Sequence, residues 1–400
     1  MVPSPAVRLS LSRRRLLAAA AVTGLAVSVP GVARAAANST NSHTNRFDGA
    51  LGANFNQDLA HLDYSELRRA RTRWVRGFYA MPDADDGAIA EQEPVKIILD
   101  AHRRGYGTVF SLKFPLGQSA VPAPGSSEMA VWLARLDAVL PLVINKVDIL
   151  EIGNEPFIES RLEDRNDTLN VFYETVAQRV IDYRAKLSRR HREPRTRLYM
   201  GALNRLDLEA NLTPAVERWL SFVKATPELD GVDIHPHVPS ADRIPAFLDY
   251  VLPRIRPDQT FLVTEFSLVW HWQQHLTDTI PADFADRYEY PTDTLVWELI
   301  GDAIAKPFPQ HQWDDFLNSS PWFERDFLVD TVQRFRATGR LAVATYGFRQ
   351  DDLMTQNWGP NKAPWLFNSV IAPYTVQPDR FGRAGVTTAW LDSFRHLQRV

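Results

Sequence analysis

The stretch Val147-Asp148-Ile149-Leu150-Glu151-Ile152-Gly153-Asn154-Glu155-Pro156 decides how this chain reads. Val147 to Ile152 is a short apolar run of the kind that parallel strands buried on both faces carry. It ends in Asn-Glu-Pro, which places a carboxylate at the strand's C-terminal tip. A second carboxylate ends another such run, Phe261-Leu262-Val263-Thr264-Glu265-Phe266. Working outward, comparable runs occupy 50–55 (ALGANF), 73–79 (RWVRGFY), 107–113 (GTVFSLK), 147–152 (VDILEI), 197–203 (RLYMGAL), 231–236 (GVDIHP), 260–266 (TFLVTEF) and 341–347 (LAVATYG).

Longer amphipathic stretches lie between them, at 60–72, 93–104, 127–143, 167–191, 214–225 and 241–255. Helices are also expected around 283–304 and 322–338, and one at 384–398 closes the chain. Strand followed by helix, eight times over, predicts an α/β fold of the (β/α)8 TIM barrel type. A doubly wound sheet shows the same alternation, but two features favour the barrel. Gly52-Ala53-Asn54-Phe55, after the first strand, lacks the G-x-G-x-x-G phosphate fingerprint. The residues suited to chemistry also sit at the C-terminal ends of several strands, where barrels place their sites. Long aromatic-rich insertions follow strand seven (Trp270, Trp272, Trp297, Trp313, Trp322) and strand eight (Trp358, Trp365), and such loops are functional when they are not disordered.

Residues 1–35 read as an export signal of the twin-arginine type. Arg13-Arg14-Arg15 precedes the uncharged run Leu16 to Val29, and Ala33-Arg34-Ala35 supplies a small-residue cleavage pattern. That run is short for a bilayer span, so no membrane anchor is expected. Residues 36–47 read as a loose mature N-terminus, leaving 48–400 as a single catalytic barrel domain and the protein as secreted. Removing five arginines with the signal leaves 40 basic against 48 acidic residues, a formal charge of −8. A net acidic chain is poorly matched to nucleic acid. The absence of cysteine excludes disulfides and thiolate chemistry.

Asn154-Glu155-Pro156, with strand-terminal Glu265 three strands later, resembles the clan A glycoside hydrolases. The resemblance implies a retaining glycosidase with Glu155 as acid/base and Glu265 as nucleophile. It also implies that Asn154 contacts the sugar 2-hydroxyl and that Arg76, on the second strand, contacts the nucleophile. His235 and His237 flank Pro236 after strand six, and the clan often has a His and an aromatic there; here the second position is His. The clan usually offers an aromatic platform from strand eight. Tyr346, Trp358 and, nearer Glu265, Trp270 are the candidates. Retaining hydrolysis needs its two carboxyl groups about 5–5.5 Å apart. Mutual repulsion and partial burial are expected to keep Glu155 protonated while Glu265 is ionised.

The expected partner is a carbohydrate, with no cofactor and no bound metal; the sugar, the linkage and the oligomeric state are left open. Blander readings stand beside these. Glu155 suits a helix N-terminus, and Arg76 suits a structural ion pair. His235 and His237 also match metal-ligand spacing, which makes a metal-dependent barrel hydrolase the first alternative. A sugar-binding barrel without turnover is the second.

Overall fold

The computed structural model describes residues 49–55, 58–188 and 196–398. The expected export signal and mature N-terminus lie outside the described residues. Eight parallel strands close into a barrel in chain order. They are β1 (Ala50–Asn54), β2 (Trp74–Ala80), β3 (Gly107–Lys113), β4 (Ile149–Ile152), β5 (Arg197–Asn204), β6 (Gly231–His235), β7 (Thr260–Val263) and β8 (Leu341–Gly347). This is the (β/α)8 barrel that the apolar runs predict.

The helices follow local rules. Pro94 sits in the first turn of Glu93–Arg103, and Val95, Ile98 and Ala101 repeat at helical spacing to form its buried face. The Ser126 hydroxyl caps Ser127–Val143 by accepting from the Met129 amide at 3.1 Å. Thr213 caps Pro214–Ala225 in the same way through Val216. Among the described residues no helix is long and apolar enough to cross a membrane.

Two stretches depart from expectation. The helix expected around 283–304 is two, Ala282–Tyr288 and Val296–Ala305. Glu289 takes a left-handed conformation at the break and Pro291 follows it. β7 stops at Val263 because the next amide, of Thr264, turns to Asp233 Oδ1 at 3.0 Å. The insertion after β7 adds the helices Val269–Gln274 and Gln310–Ser319. Trp272 and Trp313 are fully buried there, against Phe367 of the segment after β8.

Register sets the barrel's interior. Ser111 pairs with Glu151, and Arg76 pairs with both Asn54 and Val109, so these side chains share the inward face. Trp74, Val109, Ile149, Tyr199, Leu262 and Val343 form an apolar plug. Toward the C-terminal ends the lining turns polar. Beyond β4 the chain bends through Gly153, whose φ is +95°. A Cβ there would stand 2.8 Å from the Tyr173 ring. Gly153→Ala should therefore lower unfolding free energy by about 2 kcal/mol, read by urea denaturation; unchanged stability would show that Tyr173 yields freely.

Candidate active site

Arg76 is wholly buried, and all five of its N–H donors have partners. Nε donates to Ser111 Oγ at 3.0 Å. Nη1 donates to Asn54 Oδ1 at 3.3 Å and Glu265 Oε1 at 2.5 Å. Nη2 donates to Asn154 Oδ1 at 2.7 Å and Glu151 Oε2 at 3.4 Å. One guanidinium thus ties β1, β2, β3 and β4 to the residue after β7. Burial opposes its charge, and the facing carboxylates of Glu265, Glu151 and Asp233 outweigh that.

Glu155 and Glu265 stand at the tips of β4 and β7. One carboxylate oxygen of each, with ring nitrogens of His235 and His237, lies within 4.8 Å of all the others. Glu155 receives Asn204 Nδ2 at 2.6 Å and His235 Nδ1 at 2.9 Å, both on Oε1. Glu265 Oε1 takes Arg76, and its Oε2 lies 3.5 Å from His237 Nε2. Burial favours the neutral acid at Glu265, but the charges of His235 and Arg76 and the His237 contact hold the carboxyl far below its usual range. It is ionised.

Glu155 departs from expectation. Burial again favours the neutral acid, yet the hydrogen bond and charge of His235 pull its carboxyl below the ordinary value; the repulsion from Glu265 is weaker. The proton expected on Glu155 rests instead on His235. Burial works against the imidazolium, but Glu265 and Asp233 raise its pKa well above 6.5. His235 Nε2 donates to Thr264 Oγ1 at 2.8 Å and lies 3.3 Å from Asp233 Oδ2. Burial and the neighbouring Asp233 push the Glu151 carboxyl up, keeping it neutral, so Asp233 carries the buried negative charge that faces His235.

The other expected residues divide. His237 donates or accepts at Ser267 Oγ, 2.8 Å away, through Nδ1, and the edge of its ring meets Trp365 at 4.9 Å. The amide of Asn154 accepts from Arg76 and donates to Glu159, and so braces the site from within. Tyr346 is a correction. It is fully buried and packs on Phe266 and Trp390 on the barrel's outer side, so it offers no face to a sugar. Trp358 packs beside Gly301 and donates to the Trp297 carbonyl at 2.8 Å, and Trp270 is part-buried with its indole N–H unpartnered; no contact ties either to the two glutamates. The aromatic beside the pair is Trp365. Asn204, Glu151, Asp233, Thr264 and Ser267 also belong to the site although the motifs did not single them out. Most were legible as polar residues set inside apolar strand runs. Lys113 pairs with Glu159 at 2.9 Å.

Glu155, His235, His237 and Glu265 form a four-donor cluster on distance alone. The donors fit a metal poorly, because His235 already uses both ring nitrogens and holds its proton, leaving no lone pair.

No protein-family model matches the chain, and no curated protein sequence does. Solved structures do. A glucosidase from Croceicoccus marinus aligns with a TM-score of 0.50 at 12% identity, over 88% of this chain and 68% of its own. An endo-1,4-β-xylanase from Penicillium canescens gives 0.47 at 13%, over 86% of this chain and 94% of its own. A family 39 glycoside hydrolase from Bacteroides cellulosilyticus gives 0.45 at 12%, over 89% of this chain and 64% of its own. At such identities the likeness is one of fold. The eight-stranded parallel barrel of this chain is what the first of these comparisons matches.

The charge on His235 ties stability to pH. A raised folded-state pKa contributes stability that is complete below about pH 6.5 and fades as pH rises through the raised value. Urea unfolding of wild type against His235→Gln, from about pH 6 to about pH 10, should show the wild-type advantage shrinking with rising pH. An advantage that grows instead would mean that His235 is neutral in the fold.

Proposed function

We propose that this protein is a retaining glycoside hydrolase that cleaves O-glycosidic, most readily β, bonds of a secreted enzyme's carbohydrate substrate by double displacement. The observation that carries the reading is the spacing of Glu155 and Glu265, whose facing oxygens lie within 4.8 Å. That is nearer the about 5–5.5 Å of retaining enzymes than the about 6.5–9.5 Å of inverting ones. Glu265 is ionised and anchored by Arg76, as a nucleophile must be.

In the first step a Glu265 oxygen attacks the anomeric carbon as the bond to the leaving oxygen breaks. Glu155 passes the proton it takes from His235 to that oxygen, leaving His235 neutral and giving a glycosyl ester on Glu265. In the second step Glu155 takes a proton from water, whose oxygen attacks the anomeric carbon and releases Glu265. Glu155 Oε1 is saturated by Asn204 and His235, which leaves Oε2 for the leaving group. His235 and Glu155 hold the transferable proton as a pair, with Asp233 behind His235 fixing the ring. Removal of residues 1–35 through twin-arginine export fits an enzyme acting outside the cell.

Turnover of aryl β-glycosides, soluble β-glucans, mannans and xylans by wild type, Glu155→Ala and Glu265→Ala tests the assignment. Loss of Glu155 should lower kcat/KM about 10²–10⁴-fold. Azide should rescue that variant with a β-azide product and the Glu265 variant with an α-azide. Wild-type turnover with both variants unimpaired would overturn the roles.

A further inference from the structure

The loops after β4 and β5 enclose a groove of about 440 Å³ that reaches Asn204, the hydrogen-bond partner of Glu155. Leu203 and Val216, both buried, contribute to its walls. Ile158, Leu162 and Leu208 stand at it 48%, 78% and 42% exposed. Six large hydrophobic side chains stand this exposed among the described residues, and these are three of them. Scattered apolar exposure is ordinary, but a cluster of it marks a surface that meets something.

The polar side chains around the groove are already committed. Arg165 donates to the Ile158 and Ser160 carbonyls at 3.0 and 2.9 Å. Arg205 pairs with Asp207 at 3.0 Å, and Asn211 donates to the Arg205 carbonyl at 3.1 Å. Sugars are held by aromatic faces and by free hydrogen-bonding groups. No tryptophan lines this groove, and its one aromatic, Phe157, packs edge-on against Trp219.

Asn204 joins the groove to the reaction. It lines the groove, and its Nδ2 donates to Glu155 Oε1 at 2.6 Å. Its Oδ1 is buried with no hydrogen-bond partner, although the residue is only 9% exposed. A buried, unmatched acceptor costs stability unless a ligand supplies a donor.

We propose that this groove is the leaving-group pocket and that it selects glycosides whose aglycone is apolar, an alkyl or alkyl-aryl group, over those whose leaving group is another sugar. The proposal rests on the glycosidase reading, because Glu155 is the group that meets the leaving oxygen. The departing hydroxyl meets Glu155, which Asn204 holds at the end of the groove, and its hydrocarbon covers Leu162, Leu208 and Ile158.

Two measurements test it. The first is kcat/KM for methyl, butyl and octyl β-glycosides of the sugar that is turned over, and for the corresponding disaccharide. Each methylene that the groove buries should raise kcat/KM by about fourfold. The octyl-to-methyl ratio should collapse toward one in Leu162→Asp/Leu208→Asp and persist in Leu353→Asp, a control leucine 53% exposed elsewhere. The second is calorimetric binding of 4-butylphenol, which needs no turnover, to wild type and the same variants. Binding lost only in the groove variant is expected. A flat alkyl series, a disaccharide preferred to octyl, or butylphenol binding untouched by the groove substitutions overturns the proposal and leaves the hydrolase standing. No turnover of any glycoside overturns the hydrolase reading, and the calorimetry then decides the apolar pocket alone.

Discussion

A guanidinium sealed inside a barrel is a costly object. It persists only if every donor finds an acceptor and its charge finds a counter-charge. Arg76 meets both conditions with five partners drawn from β1, β3, β4 and the turns after β4 and β7. The rest of the site follows from that. Glu265 is positioned because Arg76 holds one of its oxygens, and Asn154 because Arg76 uses its carbonyl. The turn through Gly153 is fixed in consequence, and with it Glu155. Removing the guanidinium would leave the Glu265 carboxylate without its hydrogen-bonded counter-charge.

The electrostatics then sort the remaining groups. Four carboxyl groups, two histidines and one arginine share the space above the apolar plug. Burial alone would neutralise the acids, and the cations prevent that for Glu155, Asp233 and Glu265. Glu151 is the group pushed up, by its burial and by the charge of Asp233. Charge therefore alternates across the site: Asp233, then His235, then Glu155, with Arg76 beside Glu265. What differs from expectation is the resting place of the proton, which the charges favour on His235 over Glu155.

The barrel was legible because its strands are short apolar runs of nearly the observed bounds, and because helix caps and prolines mark what lies between. Glu155, Glu265, Arg76 and the histidine pair were legible because strand tips in a barrel converge on one mouth. The aromatic assignments failed for a different reason. Whether a residue on β8 faces the barrel axis or the helices depends on register, and a shift of one residue inverts the answer. Tyr346 falls on the outer face. The segment after β8 has no periodicity, so nothing local distinguished Trp365 from Trp358. Asn204 was hidden because β5 changes register between Met200 and Leu203. Glu151 and Asp233 sat in plain view at alternate positions of apolar runs, where a polar residue points into the barrel.

Trp365 owes its place to parts of the chain made last. The turn Trp365–Asn368 is held by the Trp390 indole, which donates to the Phe367 carbonyl at 2.7 Å, and by Asn368, which donates to the Phe266 carbonyl. The helix Thr388–Leu397 is in turn clamped to the helix Tyr64–Ala70 through Arg395 on the Arg69 carbonyl, and Gln398 just beyond it donates to the Leu51 carbonyl of β1. A truncated product thus carries the two glutamates without the wall that Trp365 supplies beside His237.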